Sequence, residues 1–241
     1  MDRRNTLRLL AGTAALVSSA HWLGGMSALA QQKVPEGPFK LPPLGYGYEA
    51  LEPNIDTATM VFHHNNHHQA YVNNLNGLVE KWPELASKSP DDIVSNISSA
   101  PESVRTAVRN NMGGHWNHTF FWVLMTPGGP KAPTTDVKSA IDGAFGDTDK
   151  MKAALKTAAL GRFGSGWAWL AVGKDKKLTI LSTANQDTPH MDAGAKPILG
   201  IDVWEHAYYL KHQYRRADYI DIWWNTVNWD KVAESFKKAS A

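Results

Sequence analysis

The chain has 241 residues, of which 43% are hydrophobic and 20% charged. This is the composition of a folded globular protein with a substantial core. It contains no cysteine, which excludes disulfides, thiolate nucleophiles, iron–sulfur clusters and cysteine-bound zinc. Its formal net charge is only +2 and no dense basic run is interleaved with aromatic residues, so the sequence indicates no nucleic-acid partner.

An export signal peptide is predicted over residues 1–30. Arg3, Arg4 and Arg8 precede the apolar run LLAGTAALVSSA, and a small-residue cleavage pattern, ALA, ends at position 30. The paired arginines resemble a twin-arginine signal. The run is too short and too rich in Gly, Thr and Ser for a stable membrane anchor, so we expect export, into a bacterial periplasm. Removal of this segment takes away three arginines and one aspartate, which leaves the mature protein near neutral.

Two long helices are predicted within residues 31–126, which we assign to an N-terminal domain built as a long antiparallel helical hairpin. Apolar and aromatic residues recur every three or four positions over 57–81, as on an amphipathic helix. A second helix is predicted over 101–124. Gly113-Gly114 lies inside it at a cost of about 1 kcal/mol for each glycine, so we expect another part of the chain to approach closely there.

Residues 127–241 are predicted to form a C-terminal α/β domain, which makes the fold class α+β. A Pro-Gly-Gly-Pro run at 127–130 marks the linker. A helical segment is predicted over 135–160, followed by short apolar or β-branched runs that are typical of a small three-stranded antiparallel sheet. These runs are 166–172, 178–183 and 198–203. Helical patterns resume from Glu205 and include 208–215 and 232–238.

The histidines occur in groups that suggest one metal site assembled from distant segments. The groups are His63, His64, His67 and His68; His115 and His118; and His206, four residues after Asp202. On a helix, His63, His67 and Tyr71 share one face. Asp202 follows an apolar run, where a carboxylate is costly to bury unless it is paired or metal-bound. Taken singly, each group also fits ordinary core or solvated histidines, and Asp202 fits a helix cap.

Five motifs, in order along the chain, resemble the iron/manganese superoxide dismutases. They are HHNNHHQAYVNNLN at 63–76, NNMGGHWNHTFFW at 110–122, FGSGWAWL at 163–170, STANQD at 182–187 and DVWEHAYYLK at 202–211. The similarity runs from about Leu41 to Asp230. It implies a superoxide dismutase, an oxidoreductase that converts two superoxide ions and two protons into dioxygen and hydrogen peroxide. The reaction alternately reduces and reoxidises one mononuclear metal ion per subunit.

The resemblance also implies a role for individual residues. The metal ligands are His63, His118, Asp202 and His206, with a solvent molecule as the fifth. The catalytic neighbours are Tyr71 and His67, a gateway pair above the metal, and Gln186, whose amide hydrogen-bonds the solvent ligand. The pocket walls are Trp122, Trp167 and Trp204, whereas Trp169 is expected in the core and His64, His68 and His115 in packing or support. Glu205 and Tyr209 are implied as contacts to a second subunit, hence a homodimer, with a tetramer of dimers as the alternative.

The ligand set suits the expected electron transfer. With neutral imidazoles and one carboxylate, each arriving electron is matched by a proton on the solvent ligand, so the charge of the low-dielectric site stays constant. Iron-type members usually carry the glutamine four residues before the second histidine ligand, and that position is Gly114 here. Gln186 is the manganese-type arrangement. We therefore expect one Mn ion per subunit, with Fe or dual-metal use as the alternative.

Two other functions remain open on the residues alone. Three histidines and an aspartate suit a hydrolytic zinc site, and an exported protein could keep the fold for metal binding without catalysis. Departures from the family pattern touch no ligand. Asn66 replaces a common lysine, His190 a common leucine, and His212, Tyr214 and Ala217 alter the stretch after the last ligand. Loss of a lysine near the entrance is expected to weaken the local attraction of superoxide.

Overall fold

The computed structural model describes residues 36–129 and 132–241, so the export signal predicted over 1–30 lies outside the described residues. The helices are α1 (Thr57–Phe62), α2 (Gln69–Leu78), α3 (Pro90–Ser95), α4 (Glu102–Val123), α5 (Thr135–Phe145), α6 (Thr148–Gly161), α7 (Tyr209–His212), α8 (Arg216–Trp223) and α9 (Trp229–Ser240). The strands are β1 (Gly166–Val172), β2 (Leu178–Ala184) and β3 (Lys196–Asp202). None of the helices in these ranges combines the length and the apolar character that a membrane crossing needs.

The predicted N-terminal hairpin forms, but its first arm is not one regular α-helix. A π-helical turn, His63–His68, joins α1 to α2. This arm runs antiparallel to α4, since His68 hydrogen-bonds His115 whereas Asn74, further along, bonds Asn111. π-Helical turns are rare and occur mostly at functional sites. Here the turn contains all four histidines of the first group.

The segment predicted as one helix over 135–160 is two helices. α5 ends at Gly146, whose φ of 93° lies in the left-handed region that favours glycine. Asp147 then caps α6 by accepting a hydrogen bond from the backbone N–H of Lys150 at 2.7 Å. Gly146 thus ends α5, and Asp147 begins α6.

The three-stranded antiparallel sheet is as predicted, with β1 between β2 and β3. β1 is buried along its whole length, as expected for a central strand covered on both faces by helices. Its Trp167 is paired with Thr183 of β2 on one side and with Asp202 of β3 on the other. The strand register therefore places the residue Asp202 beside Trp167 at the end of the sheet.

The helical pattern predicted over 208–215 forms only in part. α7 ends at His212 because Gln213 has a φ of 49° and leaves the helical region. The core lies in two clusters of buried apolar side chains. One fills the space within the hairpin, around Leu75 and Val108, and the other surrounds the sheet, around Trp169 and Leu199.

Candidate metal centre

Four side chains from four segments converge at one buried point. His63 comes from the π-helical turn, His118 from α4, Asp202 from the end of β3 and His206 from the short 3₁₀ turn Glu205–Ala207. One potential ligand atom of each lies within 4.8 Å of those of the other three. Asp202 Oδ2 is 3.1 Å from Nε2 of His63, 3.6 Å from Nε2 of His118 and 3.4 Å from Nε2 of His206. One carboxylate oxygen thus faces three imidazole nitrogens.

Local hydrogen bonds orient two of these ligand atoms. His118 Nδ1 donates to the carbonyl oxygen of Gly114 at 2.7 Å, which leaves Nε2 unprotonated in the neutral ring. Asp202 Oδ1 accepts the backbone N–H of Trp204 at 2.8 Å. Asp202 is not the helix cap considered as its alternative role, because the 3₁₀ turn Glu205–Ala207 follows Trp204 and has no side-chain cap. The bond to Trp204 occupies one oxygen and leaves Oδ2 for the site.

Burial sets the protonation states that metal binding requires. It lowers the pKa of His63 to about 4 and that of His118 well below its ordinary value, because a charged imidazole is costly away from water. Burial alone would raise the pKa of Asp202, but the close approach of the His206 and His63 rings to its carboxylate outweighs burial and holds that pKa below its usual range. Neutral rings at His63 and His118 and an ionised Asp202 result, which are the forms that bind metal ions.

The residues present fit a metal ion. Nε2 of His118 and Nε2 of His206 are buried and make no hydrogen bond to any described residue. Asp202 is fully buried, and no lysine or arginine in the described ranges pairs with it. Buried lone pairs and a buried charge are costly without a partner. A cation bound by three nitrogens and one oxygen satisfies all of them, and such a mixed donor set suits Mn, Fe and Zn.

Gln186 lies beside the four ligands and is held by a hydrogen-bond network. Its Oε1 accepts from Trp167 Nε1 at 3.0 Å and from Asn117 Nδ2 at 3.2 Å. Its Nε2 donates to the hydroxyl of Tyr71 at 3.0 Å. Two donors on the oxygen fix the orientation of the amide, so the nitrogen has a second hydrogen to offer.

His67 and the predicted tryptophan walls surround the ligands. The His67 ring stacks on His206 with centroids 4.1 Å apart and planes 16° apart. Trp122 meets His63 edge to face at 4.8 Å, Trp167 meets His118 in the same way at 5.4 Å, and Trp204 stacks on His206 at 5.5 Å. Trp169 is fully buried against Trp167. These side chains lie around the ligands, and their roles in catalysis stay predictions.

The remaining histidines of the clusters point elsewhere. His64 Nε2 donates to the carbonyl oxygen of Pro42 at 2.8 Å. His68 lies behind His118, accepts from Trp122 Nε1 at 2.9 Å on Nδ1 and bonds His115 Nδ1 through Nε2 at 2.8 Å. Burial lowers the pKa of both His68 and His115, so these rings are neutral supports.

Glu205 and Tyr209 are not ligands in this chain. The Glu205 carboxylate accepts from Ser165 Oγ at 2.6 Å and from Arg216 at 3.3 Å. Tyr209 is 53% exposed, and Phe163, two residues before Ser165, is 96% exposed. These side chains present polar and apolar groups at the surface near the His206 turn.

Sequence reasoning gave no role to Asn117. This amide donates both to Oε1 and to the backbone oxygen of Gln186, so it fixes the glutamine from α4. The available signal was its position, immediately before a ligand and one turn after the two glycines. A Cβ on Gly113 would collide with the backbone oxygen of Gln186, and a Cβ on Gly114 would lie 2.6 Å from the Tyr71 ring. The close approach expected at the two glycines is therefore made by the Gln186 loop at Gly113 and by the Tyr71 ring at Gly114.

Comparison with known proteins gives matches over most of the chain. Residues 38–126 match the α-hairpin domain of the iron/manganese superoxide dismutases, and residues 133–235 match their C-terminal domain. A superoxide dismutase (Mn) of Thermus thermophilus is 56% identical over 202 residues, which are 84% of this chain and 98% of that protein. One from Listeria monocytogenes is 54% identical over 83% of this chain and 98% of its own length. Superoxide dismutase (Mn) 1 of Leptolyngbya boryana is 50% identical over 87% and 85%, respectively.

Proposed function

This chain belongs to the iron/manganese superoxide dismutases, and on that premise we propose that it dismutates superoxide at the site formed by His63, His118, Asp202 and His206. The buried Asp202 carboxylate carries the proposal. Three imidazole nitrogens face its Oδ2 and no side-chain cation neutralises it within the described residues. The site therefore carries one uncompensated negative charge until a metal cation binds.

A metal ion held by His63, His118, Asp202 and His206 would supply one-electron redox chemistry towards superoxide. The protein supplies the rest. Asp202 and the three imidazoles would hold the ion, and the indoles of Trp122, Trp167 and Trp204 lie against the ligand rings and shield them from bulk water. An indole lies against each of His63, His118 and His206, with ring centroids 4.8–5.5 Å apart, which favours a diatomic anion over an ester or a peptide and argues against the hydrolytic alternative.

Protons are handled by Gln186 and Tyr71. The amide of Gln186 is locked by Trp167 and Asn117, and its nitrogen donates to the Tyr71 hydroxyl. Burial raises the pKa of Tyr71 above its ordinary value, so the phenol stays protonated at neutral pH and can donate. We propose a relay in which solvent in the pocket exchanges protons with the amide and the phenol, with His67 beside the opening.

We propose manganese as the resident ion, with iron as the alternative. The similar proteins of Thermus, Listeria and Leptolyngbya are named as Mn enzymes. In this chain the position four residues before His118 is Gly114, where the Tyr71 ring leaves no space for a side chain. The amide therefore reaches the site from Gln186 instead, in the manganese-type arrangement.

Metal analysis and a superoxide assay test this proposal. Protein purified from its native host is expected to carry one Mn per chain and to remove superoxide, in a stopped-flow assay, at a rate that approaches the diffusional ceiling of about 10⁸–10⁹ M⁻¹s⁻¹. Asp202→Asn is expected to lose both metal and activity. Asp218→Asn, an exposed carboxylate on α8, is the matched control and is expected to retain both. Bound zinc without dismutation would overturn the proposal.

We further propose a two-fold homodimer, with Glu205 and Tyr209 at the contact. The exposed Tyr209 and Phe163 are apolar surface that a self-complementary contact would bury. Sedimentation is expected to give the mass of a dimer for the native protein and a smaller mass for Tyr209→Ala. A native protein that sediments as a monomer at micromolar concentration contradicts this.

Residues 1–30 are proposed as a cleaved export signal of the twin-arginine type, which delivers the folded protein to the periplasm. The mature chain is proposed to consist of two domains, 31–126 and 127–241. Mass spectrometry of protein from the periplasmic fraction is expected to show an N-terminus at Gln31. Export that persists when the twin-arginine pathway is blocked would refute that route.

A further inference from the structure

Arg109 on α4 forms a fork of salt bridges to the loop that follows Gln186. Its Nε donates to Asp187 Oδ1 at 2.6 Å, and its two terminal nitrogens donate to Asp192, at 3.3 Å to Oδ1 and 2.5 Å to Oδ2. The guanidinium thus binds the first and the last residue of the segment 187–192. The hydrogen bonds that Arg109 donates to Asp187 and to Asp192 raise its pKa above the ordinary range.

The anchored loop is the one that carries the amide of the site. Gln186 occupies a tight turn, closed by a hydrogen bond from the backbone N–H of Asp187 to the oxygen of Ala184 at 3.0 Å. Asn185 within this turn has a φ of 51°, a conformation that asparagine tolerates better than most residues but that still carries strain. A strained turn needs anchors outside itself. The only ion pair on the described part of this turn is the one from Arg109 to Asp187.

The helix that carries Arg109 also carries residues of the metal centre. Arg109, Gly114 and His118 all lie on α4. Arg109 precedes the metal ligand His118 by nine residues, or about 13 Å along the helix axis. The fork therefore sets the distance between the loop of Gln186 and the helix that supplies a ligand. Asn117 and Gly113 then fix the details of the approach from the same helix.

We propose that Arg109, through Asp187, is a positioning residue for Gln186 and so for proton delivery during dismutation. This inference rests on the proposed function. Arg109 does not touch the reacting atoms, since its contacts are carboxylates at the outer side of the loop. Its effect comes from geometry: a guanidinium presents a rigid planar fork that can bind two carboxylates at once, whereas an ammonium is a point charge.

Four variants separate the effect of the guanidinium's geometry at position 109 from the effect of its positive charge. Arg109→Lys keeps the charge and loses the fork, and Arg109→Gln loses both. Arg105→Gln is the matched control, because Arg105 lies one turn earlier on α4 and bonds only the carbonyl oxygen of Ala100. Asp192→Asn removes the more exposed carboxylate and leaves the contact with Asp187. If Arg109→Gln fails to fold, Arg109→Lys carries the test.

The Mn-loaded enzyme is measured by stopped flow for kcat and kcat/KM and by visible absorption for the environment of the metal. Arg109→Lys and Arg109→Gln are expected to lower kcat about tenfold, in the lower range of losses seen when an outer partner of a ligand is removed. Both are expected to shift the absorption maximum. Arg105→Gln is expected to stay within twofold of the native kcat, whereas Asp192→Asn, which weakens one arm of the fork, is expected to lower kcat by less than Arg109→Lys does.

A double-mutant cycle gives the decisive result. In a Gln186→Ala background, Arg109→Lys is expected to have no further effect on kcat, because the residue acts through the amide that is already absent. An undiminished tenfold loss in that background overturns the proposal. So does a destabilised Arg109→Lys enzyme with the native absorption spectrum and kcat, which indicates a structural role only.

Failure of the proposed function is recognised separately. A native protein that holds Mn but does not remove superoxide contradicts the dismutase activity. The positioning role is then still tested by hydrogen exchange and by the absorption spectrum, neither of which depends on turnover. Arg109→Lys is expected to speed exchange in residues 184–192 while Arg105→Gln leaves it unchanged. Equal exchange in the two variants overturns the positioning role.

Discussion

Replacement of Gly114 by alanine tests how tightly Tyr71 is held over the metal ligands. An added Cβ would lie 2.6 Å from Cδ1 and Cγ of the Tyr71 ring and 2.7 Å from Cδ2. Carbon atoms at favourable contact are at least about 3.5 Å apart, so the ring must move by about 1 Å. The ring face is rigid and cannot yield as a flexible side chain would.

This displacement has two calculable consequences. Overpacking of a buried site costs about 1–3 kcal/mol, and alanine returns about 1 kcal/mol of helix propensity relative to glycine, so the net loss of stability is about 0–2 kcal/mol. The larger effect is on catalysis. The 3.0 Å hydrogen bond from Gln186 Nε2 to the Tyr71 hydroxyl is broken or lengthened, and a misplacement of about 1 Å can lower kcat by up to about 100-fold.

Gly143→Ala provides the matched control. Gly143 lies within α5, and apart from its two chain neighbours and the backbone of the helix itself, no described atom lies within 4 Å of a Cβ built there. This substitution is expected to stabilise the protein by up to about 1 kcal/mol and to leave kcat unchanged. Both variants are measured at equal protein concentration and full metal occupancy, because ligand and subunit binding shift apparent stability. If Gly114→Ala gains as much stability as Gly143→Ala and keeps the native kcat, the close contact with Tyr71 does not exist.

Two further substitutions address the entrance and the amide. Asn66 is exposed on the π-helical turn, and Asn66→Lys is expected to make kcat/KM fall more steeply with ionic strength, as attraction of an anion does; equal salt slopes would refute a role for charge at this position. Trp167→Phe removes the N–H that donates to Gln186 Oε1 at 3.0 Å and is expected to lower kcat about 10-fold to 100-fold. Trp223→Phe, a buried indole whose N–H has no partner among the described residues, loses the same ring volume and is expected to keep its kcat; comparable losses in both variants would assign the effect to packing.

Periodicity and residue types were sufficient for the class of the fold. Apolar spacing predicted the two arms of the hairpin, and β-branched runs predicted all three strands to within two residues at each end. Both signals are local, since they depend on which residues face a core. The break at Gly146 and Asp147 was equally local and was overlooked, although a glycine followed by an aspartate is a common end and start of helices.

The π-helical turn had no such signal. A regular helix with 3.6 residues per turn also places His63, His67 and Tyr71 on one face, so the sequence pattern cannot distinguish the two. The wider turn forms where one helical arm must direct His63 towards the ligands while His67 stacks on His206 and His68 supports His118. Those partners lie more than 45 residues away along the chain, and only tertiary packing brings them together.

The sequence alone determined which residue types are available for a metal, because the motifs around His63, His118 and Asp202 carry nitrogen and oxygen ligands and the chain has no cysteine. Tertiary structure decided how they converge. The β1 to β3 register sets Asp202 beside Trp167, and the approach of Gln186 and Tyr71 to α4 explains Gly113 and Gly114. It also revealed Asn117 and Arg109, whose side chains act on a loop about 70 residues or more away in the sequence. Ligand chemistry belongs to single residues, whereas the distances that allow catalysis exist only between segments and arise when the core packs.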